Sequence, residues 1–238
     1  MQAFLVLLRY DLSQLGRSWI VRIWIVLLLV PAVFILGVAA NEDELASESM
    51  AAYMAAVMAP LSWLAVSILS ASAVSGEAGV ATDAILSKSV TRTEYISAKV
   101  VARVGVTILV YLAVMLPFTY LLRHYADPDT TGLGVVMGLL MVGTLLIFLA
   151  ALGILLSTVF RNVQIAVLSA LMSVLLSGLA LQFLELNWLS TTAVINDLPD
   201  TFRGDTSTLT AIRVVIVFAA LTVAAISSAL WLFRQKDL

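Results

Sequence analysis

The sequence predicts an all-α membrane protein with six transmembrane helices, on the evidence of its composition and of long continuous apolar runs. Of its 238 residues, 62% are hydrophobic and only 12% are charged, whereas an average soluble domain is about 45–50% apolar and about 25% charged. The mean hydropathy of the chain is +1.07. So few charged side chains cannot cover the surface of a soluble domain of this length.

The charges and the lack of cysteine exclude further classes of protein. The chain has 13 Lys and Arg residues against 15 Asp and Glu residues, a net charge of −2, so it has no basic surplus for binding nucleic acid. It contains no cysteine, which excludes disulfide scaffolds, cysteine-based zinc sites and thiol chemistry.

Residues 1–18 are predicted to form an amphipathic helix in the membrane interface. They precede the first apolar run and are too few to cross a bilayer. One helical face is apolar and another is polar, and these faces carry Phe4, Leu8, Leu12 and Leu15, and Arg9, Ser13 and Arg17, respectively. This pattern is typical of a helix lying among the lipid headgroups. The alternative is a ragged start to the first span.

Six apolar stretches reach the roughly 20 residues that a helix needs to cross a bilayer. These predicted spans are Trp19–Ala40, Met50–Val74, Val100–Leu122, Leu133–Phe160, Val163–Phe183 and Ala211–Phe233. Arg161 and Asn162 separate the fourth span from the fifth. We interpret this pair as a tight turn, because a single run of about fifty residues is too long for one crossing.

The positive charges predict the orientation of the chain. Ten of the 13 lie on one predicted side: Arg9, Arg17, Arg22, Lys88, Arg92, Lys99, Arg103, Arg161, Arg234 and Lys236. By the positive-inside rule this side is cytoplasmic. We therefore expect a multi-pass protein of the plasma (inner) membrane with both termini in the cytoplasm.

The loop 75–99 is the largest predicted cytoplasmic element. Its charged residues are Glu77, Asp83, Lys88, Arg92, Glu94 and Lys99. A short apolar helix is predicted around Ile85 and Leu86, and Thr91 with Glu94 has the spacing of a capping box that opens the third span. Two interpretations remain: a plain solvated loop, or a surface that docks a cytoplasmic partner.

The outer segment 184–210 is long for a connection in a helix bundle. Loops of this length without structure are uncommon unless they are functional. We expect it to hold short, re-entrant helices that dip toward the membrane, anchored by Trp188 or Phe202.

The predicted spans lack the residues of several mechanisms. Their centres contain no Asp, Glu, Lys or His, whereas an ion-coupled carrier normally binds its coupling charge there. The sequence has no nucleotide-binding P-loop and no catalytic constellation, so we do not expect an enzyme. If the chain does directional work, the energy comes from another subunit.

Small residues and methionines form stripes on three predicted spans. Ser169, Ser173 and Ser177 lie on the fifth span, Gly134 and Gly138 on the fourth, and Met50, Met54 and Met58 on the second. Small-residue stripes let helices approach closely, either within the chain or at a subunit interface or cavity. Methionine serves as a pliable packing residue or as a soft metal ligand.

The arrangement of these elements resembles the permease subunit of a type-2 ABC exporter. The local match lies in Leu86-Ser87-Lys88-Ser89-Val90-Thr91-Arg92-Thr93-Glu94, followed by Lys99 and preceded by Glu77. In that family the corresponding loop has Pro where Ser89 stands, and Gly-Thr where Val80-Ala81 stands. The resemblance in topology covers the whole chain.

The resemblance implies a partner and an assembly. The loop 75–99 would be a coupling helix that docks an ATP-binding subunit, through Glu77, Asp83, Ile85, Leu86, Lys88, Arg92 and Glu94. ATP and magnesium would bind in that subunit, with no cofactor or metal in this chain. Two permeases would form a homodimer in the bilayer, with Ser169, Ser173, Ser177, Met54 and Met58 as candidates for the dimer interface or substrate path. The alternatives are a non-transporting scaffold or sensor subunit, and a membrane-embedded enzyme.

Overall fold

The computed structural model describes residues 2–75, 91–183 and 187–235 of the chain. Its regular structure is helical, apart from one isolated bridge between Leu45 and Asp127. We number the helices α1 (Gln2–Arg17), α2 (Trp19–Asn41), α3 (Ala46–Ser75), α4 (Arg92–Tyr125), α5 (Gly132–Val159), α6 (Val163–Phe183), α7 (Thr191–Asn196), α8 (Leu198–Arg203) and α9 (Thr208–Gln235). The prediction of an all-α protein is confirmed for this part of the chain.

Five of these helices are long and apolar enough to cross a membrane, namely α2, α3, α4, α5 and α9. The chain is therefore a multi-pass membrane protein. The predicted fifth span forms α6, which is 21 residues long, and the part of it that qualifies as an apolar helix is Val163–Ser177. The sixth crossing and the side on which the termini lie stay predictions.

Two spans extend beyond their predicted ends. α3 begins at Ala46 and α4 begins at Arg92, whereas hydropathy placed their starts at Met50 and Val100. Hydropathy falls at the first polar residue, but the helical backbone continues for as long as its N–H groups find partners. At Arg92 the preceding residue Thr91 supplies such a partner, as described below.

The helices alternate between two ends of the bundle, which we name after one residue each. The Arg203 end holds the α2–α3 and α4–α5 connections, together with α7 and α8. The Lys99 end holds α1, the last residues of α3, the start of α4 and the last turn of α9. The undescribed residues 76–90 connect α3 to α4 and so begin and return at the Lys99 end.

Helix α5 packs against α3 and α9 along much of its length, and glycines bring it close to its neighbours. A Cβ atom on Gly153 would lie 2.7 Å from the Cβ of Ser70 on α3. One on Gly134 would lie 2.3 Å from the backbone oxygen of Thr201, and one on Gly138 would meet the Phe202 ring at 2.3 Å. The Gly134–Gly138 stripe therefore packs α8 against α5 within the chain.

Helix α3 contains one wide turn, a π-helical segment at Met54–Met58 in which the N–H of Ala59 donates to the carbonyl of Met54. Pro60 follows directly. Proline lacks an N–H and its ring clashes with the carbonyl four residues earlier in a regular helix. The wide turn accommodates this clash by inserting one extra residue.

Helix α1 packs on α4 through a face different from the predicted one. Leu15 is 2% exposed as expected, but Leu12 is 42% exposed, and Asp11 is buried in its place. The opposite side of α1 exposes Leu5, Val6 and Tyr10. The polar partner of Asp11, described below, accounts for the difference.

Replacing Gly134 by alanine is expected to destabilise the protein. The new methyl group would meet backbone at the Thr201 carbonyl, so α8 would have to move, and overpacking of this kind costs roughly 1–3 kcal/mol. Thermal unfolding in detergent measures the effect. The matched control is Gly105→Ala on α4, where a Cβ atom meets nothing within 4 Å. Equal melting temperatures for the two variants would contradict this prediction.

Candidate functional site

The predicted docking surface lies only partly within the described residues. Arg92 and Glu94 are described. The other predicted contact residues lie in 76–90, outside the described residues; they are Glu77, Asp83, Ile85, Leu86 and Lys88. The predicted apolar helix around Ile85 and Leu86 also lies there. What the structure shows of this site is how its two boundaries are held.

The boundary at the end of α3 is fixed to α5. The backbone N–H groups of Val74 and Ser75 donate to the Ser157 hydroxyl, at 2.8 and 3.0 Å. Ser157 is only 1% exposed, so water does not compete for these hydrogen bonds. The end of α3 is therefore held to α5 by two buried hydrogen bonds.

The boundary at the start of α4 is a capping box, as the sequence predicts. The N–H of Glu94 donates to the Thr91 side chain at 3.2 Å, and the N–H of Thr91 donates to the Glu94 carboxylate at 3.2 Å. Each residue satisfies one of the backbone donors that a helix start leaves without an intrahelical acceptor. The segment 76–90 thus ends on a helix that starts sharply.

Arg92 links the start of α4 to the end of α9. Its guanidinium donates to the backbone carbonyl of Arg234 at 3.3 Å, and the Arg234 guanidinium donates to the Thr93 hydroxyl at 3.3 Å. One turn further along, the rings of Tyr95 and Phe233 stack with their centroids 5.7 Å apart. A cation beside the last carbonyls of a helix is also favoured by the helix dipole. These contacts join α4 and α9 at this end.

A buried ion pair fixes α1 to α4. The Lys99 ammonium lies 2.8 Å from an Asp11 carboxylate oxygen, and the two side chains are 4% and 3% exposed. Sequence reasoning counted Lys99 with the loop charges and did not identify Asp11. The signal was present, since Asp11 is the single acidic residue before Glu42 and lies on the helical face between Leu8 and Leu15.

An apolar cavity of about 340 Å³ opens between α3, α5, α6 and α9. Of the predicted serine stripe, Ser173 and Ser177 line it and Ser169 does not. The two hydroxyls donate to carbonyls of their own helix, those of Ser169 and Val174. The remaining lining is mainly aliphatic and aromatic: Trp63, Leu145, Phe148, Leu149, Leu152, Val174, Leu181, Leu189, Thr191, Phe218 and Leu221. The cavity suits an apolar ligand.

The two methionines predicted for the dimer interface or substrate path lie in the hydrophobic core. Met54 and Met58 are both 0% exposed and belong to the hydrophobic core. The sulfur of Met58 accepts a hydrogen bond from the Ser62 hydroxyl at 3.4 Å. They do not line the apolar cavity, and their part in a dimer interface or substrate path stays a prediction.

At the opposite end, Arg203 joins three connections of the chain. Its guanidinium lies 2.6 Å from Glu48 and 3.1 Å from Asp129, and also donates to the Ser47 hydroxyl at 3.0 Å. Asp129 accepts from both the N–H and the hydroxyl of Ser47. α8 is thereby tied to the start of α3 and to the α4–α5 connection. Sequence reasoning missed this cluster, whose members come from three separate parts of the chain and share no motif.

The contacts of this cluster shift two pKa values. Burial alone would raise the pKa of Asp129, but the hydrogen bonds from Ser47 and Arg203 outweigh it and hold this pKa below its usual value. The hydrogen bonds to Asp129 and then to Glu48 raise the pKa of Arg203. Both groups are charged at neutral pH.

No protein-family model matches the chain, and no curated protein matches it either. Function is therefore inferred from the residues and contacts described above.

Replacing one partner of the Asp11–Lys99 pair is expected to destabilise the protein more than replacing both. Asp11→Leu or Lys99→Met alone leaves a buried charge without its counter-ion, which costs roughly 3–5 kcal/mol, whereas an apolar pair of similar size is often neutral. Thermal unfolding of the two single variants and of the double variant measures the coupling. Additive losses in the double variant would contradict the prediction.

The Arg203 end is expected to weaken in acid through Asp129. Because the folded state lowers the pKa of this carboxylate, it contributes stability above its unfolded pKa of about 3.9, which is lost as the pH falls through the folded value. Asp129→Asn should melt a few degrees below the natural protein at pH 7, and this gap should close below about pH 4. Asp127→Asn, at an exposed neighbouring carboxylate, is the control. A gap that stays constant with pH would contradict the prediction.

Proposed function

We propose that this chain is the permease subunit of an ATP-driven exporter of the type-2 ABC kind. In this proposal α6 is the sixth crossing, and the Lys99 end with both termini faces the cytoplasm. The segment 76–90 docks a separate ATP-binding subunit, and two copies of the chain form the substrate path. The proposal follows the resemblance of Leu86–Glu94 to the coupling segment of that family.

The observation that carries the proposal is the way in which the segment 76–90 is held at both boundaries. Through Ser157 it is joined to α5, and through Arg92 and its contact with Arg234 it is joined to α9. α3 and α4 bear the segment itself. A partner that pushes on this short segment would therefore move four helices together, in the rigid-body manner by which packed helices change their arrangement.

Two further features support an exporter of apolar or amphipathic molecules. Among the described residues, the lining of the cavity beside Ser173 and Ser177 is mainly apolar and carries no charged side chain, which suits an apolar or amphipathic molecule. At the other end, the Arg203 cluster and the packing of α8 on Gly134 hold the connections together.

The low burial of α2 within the chain supports the proposed dimer. Only 22% of its most apolar window is buried, against 56% for α3. α6 likewise exposes Leu168 and Leu175, at 61% and 62%. These two helices correspond to the spans that line the permease interface in the family that the chain resembles.

The test is to purify the chain from its own membranes and to assay ATP hydrolysis in lipid nanodiscs. An ATP-binding cassette subunit should accompany it, and an apolar or amphipathic substrate should stimulate hydrolysis. Arg92→Glu places a negative charge at the docking boundary and should lower the stimulated rate, or the recovery of the subunit, by about tenfold or more, because a misplaced interface charge costs several kcal/mol.

Arg123→Glu is the matched control, since Arg123 is an exposed arginine at the opposite end of α4. It should leave both measurements unchanged. Transport by the purified chain alone down an ion gradient would refute the proposal. A stable complex whose hydrolysis responds to no substrate would favour a scaffold or sensor subunit.

A further inference from the structure

The apolar cavity between α3, α5, α6 and α9 lies about halfway along two of the membrane-spanning helices. Its lining residue Leu145 is at the middle of α5, and its lining residue Leu221 is at the middle of α9. Both helices are long and apolar enough to cross a membrane. The middle of such a helix lies in the hydrocarbon core of the bilayer, where the surrounding medium is acyl chain and not water.

The mouth of the cavity lies between α6 and α9. Both helices pack on α5, but in the described part of the chain they share no extensive contact with each other. The lining residue Ser177 on α6 is exposed, and so is the lining residue Leu221 on α9, at 39%. Behind them on α5, the lining residues Leu145 and Leu149 are only 6% and 2% exposed. The cavity therefore opens sideways, toward the lipid.

The lining favours a hydrocarbon ligand. None of its described side chains is charged, and most are aliphatic or aromatic. The hydroxyls of Ser173 and Ser177 already donate to carbonyls of their own helix, so neither requires an acceptor on a ligand. Apolar cavities of this kind stay free of water and take up apolar molecules. The volume of about 340 Å³ is at the lower end of the range of ligand pockets, about 300–1,000 Å³.

A second copy of the chain is the other candidate occupant of the mouth. The exposed residues of α6 that support the proposed dimer are Leu168 and Leu175. Because a helix turns by about 100° per residue, these two leucines lie on roughly the opposite face of α6 from Ser173 and Ser177. A dimer formed through the leucine face leaves the mouth of the cavity open to lipid.

We propose that this cavity binds an acyl chain of a membrane phospholipid. The acyl chain enters sideways between Ser177 and Leu221 and reaches the buried leucines of α5. It thereby fills the gap between α6 and α9. The binding requires no ATP-binding subunit and does not depend on the proposed exporter, whereas a role of the same cavity in transport rests on that proposed function.

The experiment places the purified chain in liposomes that contain a phospholipid with a photoreactive diazirine at the middle of one acyl chain. After irradiation, peptide mass spectrometry locates the lipid adducts. Adducts are expected at Leu145 and Leu149, which are buried and are reached from the bilayer through the cavity. The exposed residue Leu168 should also be labelled and serves as the internal reference.

Ser177→Trp fills the mouth with a large side chain at an exposed position, so it should cause the loss of the adducts at Leu145 and Leu149. Labelling of Leu168 should be unchanged. Leu175→Trp is the matched control, because it places the same side chain at an exposed position on the opposite face of α6. It should keep the adducts at both buried leucines.

Three results would overturn the proposal. One is labelling of Leu168 in the natural chain without labelling of Leu145 or Leu149. Another is equal labelling of these two leucines in Ser177→Trp and in the natural chain. The third is efficient disulfide linkage of two Ser177→Cys chains, which would place a second copy at the mouth; the natural chain contains no cysteine. None of these measurements involves an ATP-binding subunit, so they fail or succeed independently of the proposed exporter.

Discussion

A bilayer provides no water for a charged side chain, and this constraint determines where the protein can be held by polar contacts. The described ion pairs lie at the two ends of the bundle, with Asp11–Lys99 at one and the Arg203 cluster at the other. Between these ends the helices are held by close packing, as at Gly138 and Gly153. Uncharged hydrogen bonds also join helices there, as from the Tyr53 hydroxyl to the Leu28 carbonyl.

The polar contacts differ between the two ends of the bundle. At the Arg203 end, one guanidinium contacts a carboxylate of the α4–α5 connection and a hydroxyl at the start of α3, which holds α8 on the bundle. At the Lys99 end, the contacts run between helix termini: Ser157 holds the end of α3, and Arg92 joins α4 to α9. One end is thus joined by a charged cluster, while at the other the contacts link the ends of helices, including the residues on either side of 76–90.

Hydropathy predicted the helices well because burial in lipid imposes a strong and local requirement on composition. The spans formed where predicted for α2, α3, α4, α5 and α9, and the capping box at Thr91 is visible as a local motif. The start of α3 at Ala46, beside the polar residues Ser47 and Glu48, was not predicted. Hydropathy measures transfer into lipid and does not measure the hydrogen bonding that fixes a helix start.

The candidate sites were less predictable than the helices. Asp11 and Lys99 are 88 positions apart, and their pairing depends on how α1 docks. No helical periodicity relates Arg203 to Asp129, because Arg203 ends the short helix α8 and Asp129 lies in the α4–α5 connection. Of the predicted stripes, Ser173 and Ser177 line the apolar cavity, whereas Met54 and Met58 lie in the hydrophobic core.

The wide turn at Met54–Met58 has a consequence for how α3 is oriented along its length. One added residue shifts the angular phase of everything after it by about 100° relative to an unbroken helix. Tyr53, before the turn, donates to the carbonyl of Leu28, while Ser62, after it, accepts from the Trp24 indole. Both polar groups thus point at α2, although no single 3.6-residue period places them there. α3 thus consists of two helical segments that are offset in phase at the wide turn, and each directs one polar side chain at α2.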